Sequence, residues 1–174
     1  MELCTLSNDK YFKEVKRLVR SGYAVRMKVR GSSMSPLIVN DRDDLVVSPC
    51  EPLLVSRGDI ILAHAYAYIK GKRSKYPIYI LHRVIKVQKS NSCMDANCNK
   101  VYILRGDGNC KGKEICSDRD IIGSVSSIIR YPNNHPEGAN IANDSYTWWI
   151  FFTIWEMLFP FRRLLLHIFS KVFK

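Results

Sequence analysis

A glycine followed by a cluster of hydroxyls, Gly31-Ser32-Ser33-Met34-Ser35-Pro36, is the first stretch of this chain whose residue types can do chemistry. Glycine lets the backbone turn sharply, and such a turn can hold a serine hydroxyl out towards a substrate. Serine becomes a nucleophile once a neighbouring base removes its proton. His82 is the base the sequence offers, because a neutral imidazole accepts a proton near neutral pH. In the run Ile80-Leu81-His82-Arg83-Val84-Ile85-Lys86-Val87, alternation places Leu81, Ile85 and Val87 on one face and His82 with Lys86 on the other, more polar one. A third segment, Arg105-Gly106-Asp107-Gly108-Asn109, holds an acid in a turn, where Asp107 could orient His82 or stabilise its imidazolium. Each piece has a plain alternative, since serines beside glycine and Gly-Asp-Gly sequences are ordinary turn chemistry.

Bringing such separated segments together requires a folded framework. The chain has 174 residues, of which 47% are hydrophobic and 25% charged, which suits one domain with an appendage and excludes a disordered chain. Apolar side chains at Phe12, Val15, Leu18 and Val19 predict an amphipathic helix over Asn8 to Ser21, ended by Gly22, with Lys13, Lys16, Arg17 and Arg20 on its other face. From Ala24 the period becomes two, with Val25, Met27 and Val29 opposite Arg26, Lys28 and Arg30. Further strands are expected at Leu45 to Ser48, Asp59 to Ala63, Tyr79 to Val87, Val101 to Arg105 and Ile121 to Ile129. Ala65 to Pro77 reads as a basic loop or hairpin excursion, and Ser90 to Asn99 as a polar hairpin end. The expected organisation is a basic helix (1–22), a mainly β domain of short, mostly antiparallel strands (23–130), a linker rich in Pro, Asn and Gly (131–144), and an aromatic, basic helical tail (145–174).

Lys and Arg number 27 against 16 Asp and Glu, giving a net charge of +11 that favours anionic partners. Nucleic acid fits poorly, because the aromatic side chains that would stack on bases crowd into the tail and the Tyr66 to Tyr79 region, away from the basic stripes. The six cysteines contain no C-x-x-C pair, and Cys93, Cys98, Cys110 and Cys116 are spaced more loosely than zinc ligands, so free thiols, no metal and no cofactor are expected. The apolar run from Trp148 to Phe161 carries Glu156 and Pro160 and meets Arg162 and Arg163, falling short of the ~20 residues that span a bilayer. Two readings of it stand side by side. One is a helix in the membrane interface, with Trp148, Trp149 and Trp155 at headgroup level and Arg162, Arg163, Lys171 and Lys174 facing anionic lipid. The other is a helix packed on the domain or against another copy. Met1 to Lys10 lacks the apolar core of a secretory signal, which with reduced cysteines implies the cytoplasmic face of a membrane, held there by the tail, or the cytoplasm itself.

The order of these boxes resembles the superfamily of signal peptidases and LexA-type self-cleaving repressors. Gly31-Ser32-Ser33-Met34-Ser35-Pro36 is similar to that superfamily's G-x-S-M-x-P box, and Arg57-Gly58-Asp59-Ile60-Ile61 resembles its G-D-I-V strand. His82-Arg83-Val84, Gly106-Asp107-Gly108-Asn109 and Ile121-Ile122-Gly123-Ser124-Val125 follow in the matching order, so the resemblance covers about residues 24–130. It implies a peptidase acting on an extended peptide or protein segment, with Ser33 as nucleophile and Gly31, Ser32, Met34 and Pro36 shaping the turn that meets the substrate. His82 resembles the base of the endoplasmic-reticulum and archaeal branch, and Asp107 matches that branch's acidic position. Two departures accompany the match. Gly31 stands where many signal peptidases carry an oxyanion-binding hydroxyl, leaving backbone donors such as the Ser33 N–H. The acidic pair that follows the Gly-Asp box is missing, and Glu114 and Asp118 are the other acids open for the third role. The remaining functional classes are a self-cleaving regulator, for which residues 1–30 offer one helix where a DNA-binding module needs at least two, and a non-catalytic basic β domain that binds nucleic acid or an anionic membrane.

Overall fold

The computed structural model describes residues 8–89, 99–131, 138–142 and 146–172. The chain is mainly β, with a helix before the sheet and two after it. Helix α1 (Asn8–Arg20) forms where the 3.6-residue period expects it, burying Val15 and Val19 while Lys13, Arg17 and Arg20 face water. Gly22 ends it with φ +92°, the left-handed region that a side chain disfavours. The Gly22 N–H donates to the Val19 carbonyl and the Tyr23 N–H to that of Leu18, satisfying the last turn.

Nine strands follow among the described residues: β1 (Val25–Lys28), β2 (Asp43–Ser48), β3 (Ile60–Ile69), β4 (Lys72–Arg73), β5 (Ile78–Lys89), β6 (Lys100–Arg105), β7 (Lys113–Ser117), β8 (Ile121–Arg130) and β9 (Ala139–Ala142). Every pairing is antiparallel, in the order β1-β2-β8-β3-β5-β6-β7. Strand β3 organises the sheet. Its first half pairs with β5 and β8, whereas Tyr66–Tyr68 pair with β7, so that β3, β5, β6 and β7 close into a small barrel-like ring. Alternation along β3 then feeds two cores. Ile60 and Leu62 join Val15, Val19, Met27, Met34, Ile38 and Leu45 under α1, while Ile61, Ala63 and Ala65 join Ile80, Val84, Tyr102 and Leu104 within the ring.

Several boundaries differ from the sequence expectation. Strand β3 runs on to Ile69 and turns at Lys70-Gly71 into β4, so the excursion after Ala65 is largely ladder. Strand β7, read from the sequence as neither strand nor helix, closes the ring. Residues 139–142 of the expected linker form β9 on β8, because Ala-Asn-Ile-Ala alternates enough to extend an existing edge despite its Pro- and Asn-rich surroundings. Most of the expected hairpin end, residues 90–98, lies outside the described residues, as do Cys4, Cys93 and Cys98. Cys50, Cys110 and Cys116 carry thiols rather than disulfides.

The tail folds as α2 (Tyr146–Met157) and α3 (Arg162–Val172), separated by a tight turn at Phe159–Phe161. Phe152 is 3% exposed and packs against Gly58, beneath the guanidinium groups of Arg57 and Arg83. Glu156 bridges Arg105 and Arg162 at 2.7 and 2.8 Å. The tail is therefore seated on the β domain rather than separated from it.

Candidate active site

Two turns converge beside His82 of β5. The first is the serine box. Strand β1 is followed by Gly31 at φ +89°, after which the chain coils through 32–38 with the Ser35 N–H on the Ser32 carbonyl and the Ile38 N–H on that of Met34. Met34 and Ile38 are buried in the core under α1, each contributing roughly 1.5–3 kcal/mol of burial that fixes the turn from below. The far end is tied down by charge. Arg42 and Arg130 both reach the Leu37 carbonyl and the carboxylate of Asp43, which also accepts the Val39 N–H. Burial pushes the Asp43 carboxyl up, but these hydrogen bonds outweigh it and hold the group below the usual carboxylate range. Ser33 stands half-buried between exposed Ser32 and buried Met34, and neither its N–H nor its hydroxyl bonds to another described residue.

The second turn, Gly106-Asp107-Gly108, lies directly on the first. The Gly108 N–H donates to the Ser33 carbonyl at 2.7 Å. A Cβ on Gly106 would collide with that same carbonyl and stand 3.0 Å from His82 Nε2, and one on Gly108 would stand 2.5 Å from the Ser32 carbonyl. Both glycines are required by space, since the backbone of one turn rests on the backbone of the other. The serine turn and the Nε2 edge of His82 thus border the same glycine.

His82 itself is 6% exposed. Alternation puts it beside Ile80 and Val84 on the buried inner face of the ring, not on the polar face expected for it. A bulge between Val84 and Lys86 breaks the period, leaving Lys86 exposed, and Leu81 and Val87 pack on different cores. The ring Nδ1 lies 2.9 Å from Glu114 Oε2 on β7. In a neutral imidazole beside an ionised Glu114 the proton belongs on Nδ1, which leaves the lone pair on Nε2, the nitrogen that borders the glycine turn.

Asp107 is held elsewhere. Both its oxygens take a forked pair of hydrogen bonds from Arg83, at 2.9 and 2.7 Å, and it makes none to His82. Arg83 also donates to the Gly58 carbonyl, and the Asp107 carbonyl accepts the Trp155 Nε1–H of α2 at 2.9 Å. Asp118 is buried at the foot of β8, accepting the Asn99 and Arg119 N–H groups. The acid expected beside His82 is therefore replaced there by Glu114. The reason is register: β5 and β7 face each other across the ring, which brings Glu114 to His82, whereas the Asp107 side chain leaves its turn towards the neighbouring Arg83. Lys113-Glu114-Ile115-Cys116-Ser117 does not alternate in polarity, so the strand is set by its pairing with β3 and β6 rather than by a local signal. The contacts from Trp155 and Glu156 had no local signal at all.

Among the described residues no group of three His, Cys, Asp or Glu side chains has metal-binding proximity. Two open hollows, one at Tyr68, Gly112 and Ile115 and one at Val55, Arg57 and Val87, lie apart from Ser33 and His82. No family model, curated protein or solved structure matches the chain.

Proposed function

We propose that this protein is a serine endopeptidase resembling signal peptidases, with Ser33 as nucleophile, His82 as general base and Glu114 as the acid that orients it. The observation that carries the reading is the buried His82 ring, held by Glu114 at Nδ1 and presenting Nε2 to the glycine turn that binds the Ser33 backbone. In the proposed reaction His82 Nε2 takes the Ser33 hydroxyl proton as Oγ attacks the scissile carbonyl. The Ser33 N–H donates to the oxyanion. Glu114 stabilises the imidazolium, which then protonates the leaving amine and leaves an acyl group on Ser33. Water, deprotonated by the same Nε2, adds to the acyl carbonyl, and collapse releases the acid and restores the hydroxyl. Asp107 takes a supporting part in this scheme, fixing the glycine turn through Arg83.

The experiment is labelling with a fluorophosphonate, together with mass spectrometry of peptides cleaved by the purified protein. Ser33→Ala should abolish both labelling and cleavage, while Ser32→Ala should retain most of each. Labelling that persists in Ser33→Ala and disappears in Ser32→Ala would move the nucleophile by one residue. Labelling and cleavage absent from the unmutated protein would remove the peptidase reading.

A further inference from the structure

The polarity of helix α2 is inverted relative to an ordinary surface helix. At 100° per residue, Trp149, Ile150, Phe151, Thr153, Ile154 and Met157 occupy one continuous arc of roughly 200°. Trp149, Phe151, Ile154 and Met157 on that arc are 57%, 58%, 49% and 76% exposed. The Thr153 hydroxyl on it is turned back to the Trp149 carbonyl. The one charged residue of the helix, Glu156, points the other way, into Arg105 and Arg162. Phe161, Leu164 and Ile168 in the turn and α3 that follow are exposed as well, with exposed Arg163 and Lys171 on the same helix. Glu156 is the sole acidic side chain in the sequence from 146 onward, and the exposed charged side chains among the tail's described residues, Arg163 and Lys171, are basic. Isolated apolar side chains on a surface are normal; a broad patch with a basic rim marks an interaction site.

We propose that the outer face of α2 and α3 seats in the interface of an anionic lipid bilayer. The helices lie on the bilayer rather than cross it. The 12 residues of α2 reach about 18 Å against a hydrocarbon core of ~30 Å, and no helix among the described residues is long and apolar enough to span. Aromatic and aliphatic side chains enter the acyl boundary while Arg163 and Lys171 meet lipid phosphates, an arrangement that an acidic protein partner with a polar surface would not match. Because the inner face of α2 holds the Asp107 turn through Trp155, the seat also brings Ser33 and His82 close to the membrane surface. This last consequence rests on the peptidase reading, and it points to substrates whose scissile segment lies near a bilayer.

The test is flotation of the full chain with vesicles of phosphatidylcholine, with and without phosphatidylglycerol. The unmutated protein should float with the anionic vesicles, and brominated lipid should quench its tryptophan emission. The Ile154→Glu, Met157→Glu double variant changes exposed positions and should keep its circular dichroism while losing vesicle binding by ~10-fold or more. The Arg163→Glu, Lys171→Glu variant should lose the preference for phosphatidylglycerol. An unmutated protein that ignores both vesicles, or a double variant that binds as tightly as the parent, would overturn the proposal. A concentration-dependent dimer without vesicle binding would assign the face to a second copy and overturn it equally. Fluorophosphonate labelling of Ser33 in vesicle-free solution, measured in parallel, is expected to be unchanged in both variants. Binding without labelling in the parent leaves the membrane seat standing and removes the peptidase, and labelling without binding does the reverse.

Discussion

Consecutive residues of β5 send their side chains to opposite faces of one strand, and each meets a buried carboxylate, yet the two pairs differ in what they can do. On one face Arg83 and Asp107 form a fork with side chains 2% and 3% exposed, the guanidinium lying over the ring of Phe152. A guanidinium has no lone pair and stays charged, so this pair holds two loops together and cannot relay a proton. On the other face Glu114 engages Nδ1 of His82 and leaves Nε2, beside Gly106 and the serine turn, without a side-chain partner among the described residues. The difference lies in the chemistry of the base more than in the acid. A carboxylate beside arginine becomes a strut, whereas beside histidine it becomes a means of orienting a proton acceptor.

The strut and the orienting pair should separate under substitution. Asp107→Asn leaves the Arg83 guanidinium buried without its counter-charge, and the expected loss is about 3–5 kcal/mol in urea unfolding. The molecules that remain folded should still label at Ser33. Glu114→Gln should do the opposite, lowering kcat by ~10²-fold, or ~2.7 kcal/mol, with unfolding little changed. Glutamine keeps the shape of the side chain but cannot stabilise an imidazolium, and its amide can donate to Nδ1 and impose the wrong tautomer. A collapse of kcat in folded Asp107→Asn, together with a fully active Glu114→Gln, would exchange the assigned roles.

A smaller effect concerns how the strut side is held from outside. Burial raises the Glu156 carboxyl, but hydrogen bonds from Arg162 and Arg105 outweigh this and leave it below the ordinary range. A carboxylate whose folded value is depressed stabilises its contact fully above the unfolded value, and that contribution is lost as pH falls through the folded value. Docking of α2 should therefore be intact at neutral pH and begin to loosen once pH drops below ~4.3. Tryptophan fluorescence of Trp155 would follow it, and Glu156→Gln should remove that acid step. An identical acid transition in the variant would place the titration on another carboxyl held low by arginine, such as Asp43.

Much of the framework was legible in the chain itself. The 3.6-residue period of Phe12, Val15 and Val19 gives α1, and the glycine after it gives its end. Alternation gives β1 and most of β5, β6 and β8, and the Gly-Ser and Gly-Asp-Gly turns are where turn residues place them. These are properties of neighbours in sequence, so a local pattern suffices. Which side chains meet across the fold was a different matter. The β5 bulge after Val84 moved Lys86 to solvent, and the closing of β3 onto β7 brought Glu114, not Asp107, to His82. A one-residue change of register exchanges the two faces of a strand, so spacing along the chain cannot say which acid a base will find. The seat of α2 was equally out of reach, because an apolar helix reads alike whether a protein core or a lipid surface covers it. Tertiary packing divided that helix, burying Phe152 and pairing Glu156 with two arginines, while Trp149 and Met157 stayed exposed.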